Sequence, residues 1–172
     1  MSEPPERRWV PGLLMAGLLA LVVGLHMIFT WPLPGSFNGL YGEMSVFFGM
    51  LLLGLSLVLI LGMDLLPIAI YAAFAGAASI VAGIQVLKLG LADNPALVGA
   101  GFLWMGVLGL GAVPLMRLRG LQAFRVFGAV GLLIAAVLWG TVGYMAYWNH
   151  PRANLLWKPP TQPLQQEMQK AK

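Results

Sequence analysis

Cysteine is absent from the 172-residue chain, which removes disulfides, thiolate nucleophiles, zinc–thiolate sites and iron–sulfur clusters from consideration. Charge is scarce as well. Only 9% of residues are Asp, Glu, Lys or Arg, against roughly 25% in a soluble domain, so a water-facing globular fold is excluded. Histidine occurs twice and tyrosine four times, and the chain has no G-x-S-x-G, no H-E-x-x-H and no phosphate-binding glycine loop. Nucleophilic catalysis therefore has almost no support. Apolar side chains and glycine make up most of the chain: 59% of residues are hydrophobic, 22 are glycine, and the mean hydropathy is +0.83. Glycine is more frequent in membrane helices than in soluble ones because it lets backbones approach closely. The net charge of +4 comes from a few basic residues in loops and tails, a pattern that suits a membrane surface and not nucleic acid.

A helix needs about 20 apolar residues to cross a bilayer core about 30 Å thick, and the sequence offers five such stretches, at 11–31, 44–62, 65–87, 96–116 and 124–148. Backbone polar groups in lipid must be satisfied within the element, and these runs lack the alternation of a barrel strand. The expected fold is all-α, a polytopic bundle of five transmembrane helices over 11–148, preceded by a cytoplasmic segment 1–10 and followed by a flexible tail 149–172. Arg7 and Arg8 precede a first run longer than a signal-peptide core, and it exits into Trp31-Pro32-Leu33-Pro34, so it reads as a retained helix. Arg7, Arg8, Arg117, Arg119 and Arg125 fall on one side, and Lys88, Arg152 and Lys158 on the other. That balance places the N-terminus in the cytoplasm and the C-terminus outside a cell membrane. Pro11, Pro67 and Asp93-Asn94-Pro95 punctuate helix starts, and Trp9, Trp31, Tyr41, Trp148 and Trp157 read as interface anchors. Asp64, in the turn between spans two and three, reads as a turn cap or surface ion pair. No internal repeat is evident, and an odd span count does not divide into the inverted halves common in transporters.

Helices in lipid adhere through close approach at small residues. In the third span Ala69, Ala72, Gly76, Ser79 and Gly83 recur at spacings of three and four, one stripe down one face. This span is expected at the bundle centre. Gly99, Gly106 and Gly109 repeat the device in span four, and Gly128, Ala136, Gly140 and Gly143 in span five. Such faces serve packing within the chain, and the same chemistry serves a homo-oligomer seam or a larger membrane complex.

Threaded through five spans, the scarce polar residues His26, Glu43, Gln85, Lys88 and His150 all fall at one membrane face, with Met27, Met44 and Met145. A histidine inside a span marks a site or a buried partner. Through one ring nitrogen His26 can ligate b-type haem iron or copper while the other bonds Glu43; alternatively it ties the first loop to the bundle by a hydrogen bond. His150 is either a second ligand or a solvated interface histidine. The methionines admit Cu(I) and are equally ordinary core fillers. The first functional reading is a non-catalytic accessory or structural membrane component. A redox or ligand-binding module for haem, copper or a quinone is the alternative, and a small-solute transporter a weaker one.

The segments His26-Met27, Thr30-Trp31-Pro32-Leu33-Pro34-Gly35-Ser36, Asn38 and Tyr41-Gly42-Glu43 carry a resemblance. Over residues 20–115 the chain resembles a family of multi-pass prokaryotic membrane proteins, the domain of unknown function 981. The resemblance implies a small helical integral membrane protein with this loop as its signature, Trp31, Pro32, Pro34, Gly35 and Ser36 being its most specific part, and it implies no activity. Physically, the two prolines stiffen the exit from the first helix and lack N–H donors that lipid would leave unsatisfied. Gly35, Gly39 and Gly42 permit a compact return, and Phe37 and Tyr41 are placed to tuck the loop against the bundle mouth. The loop is then a lid over the polar cluster, or a plain interhelical connector.

Overall fold

A computed structural model describes residues 5–33, 37–118 and 120–156, with side chains at 6–33, 37–118 and 120–149. A short 3-10 turn, Pro5–Trp9, leads into α1 (Val10–Thr30), followed by α2 (Phe37–Leu61), α3 (Leu66–Leu89), α4 (Pro95–Arg117) and α5 (Gln122–Leu156). All five helices are long and apolar enough to cross a membrane, with mean hydropathies from 1.8 to 2.6 over their most apolar stretches. The expected class is the one observed: an all-helical, multi-pass membrane protein. The chain divides into two compact units, residues 1–139 and 140–172, and the packing described below is that of the first.

Helix ends follow the local chemistry. Pro occupies the first turn of α1, α3 and α4, where its missing N–H has no helical partner to lose. The Asn94 side chain accepts from Leu97 N at 3.1 Å and caps α4, and Asp64 accepts from Leu66 N at 2.9 Å at the head of α3, the turn-cap role expected of it. Gly90 ends α3 in the left-handed conformation at φ 66°.

Two boundaries differ from the sequence reading. α2 begins at Phe37 and not near residue 44, so Gly39, Tyr41, Gly42 and Glu43 belong to a helix and not to the loop. Gly42 is buried there because α1 lies against it. α5 runs on through Pro151 to Leu156, into the first residues of the tail expected over 149–172, whose remainder, 157–172, lies outside the described residues.

Packing within the first unit is dominated by glycine. Gly17 and Gly24 of α1 face Gly49 and Gly42 of α2, seven residues apart on each helix. A Cβ on Gly24 would lie 2.7 Å from Gly42 O, and one on Gly49 would lie 2.6 Å from Leu21 N. The hairpin α3–α4 uses the same arrangement. Gly76 and Gly83 face Gly106 and Gly99, with added Cβ atoms 2.8 Å from Gly106 O and 3.0 Å from Gly99 O. A seven-residue period keeps one seam facing its partner over several turns, as in left-handed helix pairs. The two hairpins thus repeat one packing device, although no repeat was evident from composition or motif.

The expected small-residue stripe of α3 is buried throughout, at Ala69, Ala72, Gly76, Ser79 and Gly83. A third of the most apolar stretch of α3 is buried, more than in any other helix, in accord with a central position. In α5 the stripe is shifted: Gly128, Gly131 and Ala135 are buried and Ala136 is exposed. The reason is the seating of Leu115 and Leu108 of α4, whose Cδ2 atoms would lie 2.9 Å and 2.6 Å from Cβ atoms at Gly128 and Gly131.

Polar side chains bridge successive helices by donating to backbone carbonyls. Arg7 Nη2 donates to Ile60 O at 3.0 Å, Tyr71 Oη to Phe47 O at 3.2 Å, Ser79 Oγ to Phe102 O at 2.7 Å, and Trp104 Nε1 to Gly131 O at 2.9 Å. These bonds join the N-terminal 3-10 turn to α2, α2 to α3, α3 to α4 and α4 to α5 in turn.

Candidate functional site at the polar end of the bundle

The exit from α1 is a backbone problem before it is a site. Trp31 adopts the left-handed conformation at φ 47°, the only non-glycine residue with positive φ among the described residues. A tryptophan pays a steric penalty there of roughly 1–2 kcal/mol. Its N–H closes the helix onto Met27 O at 3.2 Å. Two residues on, Leu33 is held by Asn38, whose Oδ1 accepts from Leu33 N at 2.9 Å and whose Nδ2 donates to Leu33 O. Asn38 is fully buried. Its amide therefore replaces the neighbouring strand or helix that a peptide group in this setting would otherwise need.

Aromatic packing then ties the loop end to the bundle. Phe37 stacks on Tyr41 with centroids 6.1 Å apart, Tyr41 meets Phe102 of α4 at 5.8 Å, and Phe102 meets Trp139 of α5 edge-on at 4.8 Å. Tyr41 Oη also donates to Leu91 O at 2.8 Å and so fastens the α1–α2 corner to the α3–α4 connection. Phe37 and Tyr41 do anchor this corner, but from inside α2. Pro34, Gly35 and Ser36 lie outside the described residues, whereas Trp31 and Pro32 are exposed.

His26 is exposed on α1. Its Nε2 lies 3.4 Å from Thr30 Oγ1, and that hydroxyl donates its proton to His26 O at 2.7 Å. The imidazole is thus engaged by a side chain one turn along its own helix. Glu43 is not its partner. His26 stands two residues beyond Gly24, about 200° around the helix from the contact with α2, and Glu43 stands one residue, about 100°, beyond Gly42. Gln85 and Lys88 are exposed on the last turns of α3. Among the described residues no hydrogen bond or ion pair joins His26, Glu43, Gln85 and Lys88, and no group of three or more His, Cys, Asp or Glu is placed to hold a metal. His150 lies in α5 within the second unit, and its side chain is outside the described residues.

The polar end is therefore a backbone clamp at Asn38 and an aromatic chain through Tyr41, with the other polar residues dispersed around it. The role of Asn38 was not anticipated, although an asparagine in the first turn of a helix behind a proline-stiffened exit is a recognisable pattern for bonding nearby backbone.

No curated protein and no solved structure matches the chain. A family model does match, and it extends the resemblance carried by the first loop into α5. Matched from residue 2 to residue 152, the chain belongs to the family described as protein of unknown function, DUF981.

Proposed function

We propose that the chain is a non-catalytic accessory or structural component of the cell membrane, with its N-terminus in the cytoplasm. One observation carries this reading: the buried polar side chains among the described residues, Asn38, Ser56 and Ser79, all bond backbone, at Leu33, Leu52 and Phe102. Groups that in a catalytic or transport site would face a substrate are here committed to backbone: Asn38 at the α1–α2 loop, Ser56 within α2, and Ser79 between α3 and α4. The orientation is supported by the sequence balance of basic residues, Arg7, Arg8, Arg117, Arg119 and Arg125 against Lys88, Arg152 and Lys158.

The test is gentle purification from the native membrane, with visible spectroscopy and metal analysis alongside identification of copurifying protein. A stoichiometric partner, with a colourless and metal-free preparation, is the expected result. A stable monomer with no partner refutes the accessory role. A Soret band or stoichiometric copper that disappears in His26→Ala replaces it with a cofactor module.

A further inference from the structure

Away from the α1–α2 loop, where the N-terminal turn meets the end of α2, Trp9, Leu13, Leu55 and Leu59 line a shallow, open apolar groove of about 430 Å³ to which Glu6 also contributes. A second, smaller cleft shares Glu6 and Leu59 and is bordered by Arg7, so the two form one trough with a carboxylate and a guanidinium on its rim. Arg7 is not free to wander. Its Nη2 donates to Ile60 O at 3.0 Å, at the C-terminal end of α2, where the last carbonyls lack helical partners and the helix dipole favours a cation. A guanidinium carries five N–H donors, so this one bond fixes its position and leaves others available. Glu6 and Arg7 stand at the N-terminal end of the first candidate span, Glu6–Thr30, and charged side chains at a span end reach headgroup level.

We propose that this trough binds a zwitterionic phospholipid with a primary-amine headgroup. One acyl chain lies along Trp9, Leu13, Leu55 and Leu59, the ammonium meets the Glu6 carboxylate, and the phosphate takes the remaining N–H groups of Arg7. The acid decides the headgroup. An anionic phospholipid satisfies Arg7 and sets a second negative charge beside Glu6, whereas an ethanolamine headgroup matches both rim charges. A choline headgroup carries the same charges and no ammonium N–H to donate, so it fits less well.

The experiment uses the full chain reconstituted in vesicles of equal phosphatidylethanolamine and phosphatidylglycerol, then extracted in mild detergent with the retained lipid measured by mass spectrometry. Wild type is expected to retain the ethanolamine lipid in about two- to fivefold excess, the ratio an exposed charge pair supplies. Glu6→Gln brings the ratio to near one, and Leu59→Trp, which fills the trough, lowers retention of both lipids. A second measurement needs no variant: with phosphatidylcholine replacing phosphatidylglycerol, wild type still favours ethanolamine. Equal retention by wild type in either mixture, or an enrichment that survives Glu6→Gln, overturns the proposal.

Discussion

Replacing Gly49 by alanine places the new methyl 2.6 Å from Leu21 N and 2.8 Å from Gly17 O. Both are backbone atoms, so neither can rotate aside. Ordinary contacts between non-bonded heavy atoms begin near 3.5 Å, and the α1–α2 pair must therefore open by roughly 1 Å at this level. Overpacking of this kind costs about 1–3 kcal/mol, offset by the roughly 0.5–1 kcal/mol that alanine gains over glycine inside a helix. A net loss of about 1–2 kcal/mol remains. Gly17→Ala is the milder neighbour, its Cβ meeting Leu53 N at 3.0 Å and Gly49 O at 3.1 Å. Gly111→Ala is the control, since nothing lies within 4 Å of a Cβ there, and it keeps only the propensity gain. Equilibrium unfolding of the four proteins in one detergent reads the order directly: Gly111→Ala at or above wild type, then Gly17→Ala, then Gly49→Ala. If Gly49→Ala is as stable as wild type, or Gly111→Ala loses as much, close backbone approach is not what holds the hairpin.

Three further substitutions probe the loop and the polar bridges. Asn38→Leu removes both bonds to Leu33 and is expected to lose about 1–3 kcal/mol, with faster protease cleavage between residues 31 and 37 as a second readout. Ser79→Ala keeps the small side chain and removes only the 2.7 Å bond to Phe102 O, so unfolding should shift by about 0.6 kcal/mol, the average for such bonds in membrane bundles. Trp31→Gly removes the penalty of a bulky residue at φ 47° and is expected to raise stability by about 1 kcal/mol; a fall in melting temperature would show that the exposed indole contributes more than its backbone conformation costs.

Five spans were legible because lipid leaves the backbone no alternative to the helix and the hydropathy runs are uninterrupted. The α3 stripe was equally plain, since Ala69, Ala72, Gly76, Ser79 and Gly83 recur at helical spacing. The glycines of the first hairpin were not. Gly17, Gly24 and Gly49 stand singly among apolar residues, and Gly42 sits near other glycines that suggest a turn. Their meaning depends on which helix lies opposite, and one sequence does not carry that information. The start of α2 was missed for a related reason: Asn38, Gly39 and Gly42 are poor helix formers, and burial of Asn38 against the Leu33 peptide outweighs that preference. The polar cluster rested on residues sharing a membrane face. Depth follows from topology, whereas azimuth around each helix follows from packing, and the glycine seam turns His26 to the side of α1 opposite α2.

The packing also ranks the seams. Within each hairpin, backbone meets backbone at Gly17–Gly49 and Gly24–Gly42, and again at Gly76–Gly106 and Gly83–Gly99. Between the hairpins the contact is made by side chains, with Phe47 against Tyr71 at a centroid distance of 6.4 Å and Ile68 Cδ1 under Gly54. The connection there is short, and Gly62 within it has φ 65°. α5 meets α4 through Trp104, Leu108 and Leu115. Helices in lipid have no hydrophobic drive toward one another, so adhesion follows the number of close van der Waals contacts and the few hydrogen bonds between them. The two hairpins are then the strongest units, and the seams between them and to α5 are the places where the bundle yields first. Substitutions in the glycine seams should lower the stability of the whole chain, whereas loss of Tyr71 or Trp104 should loosen one seam and leave each hairpin closed, because the bonds they donate cross between the hairpins or from a hairpin to α5.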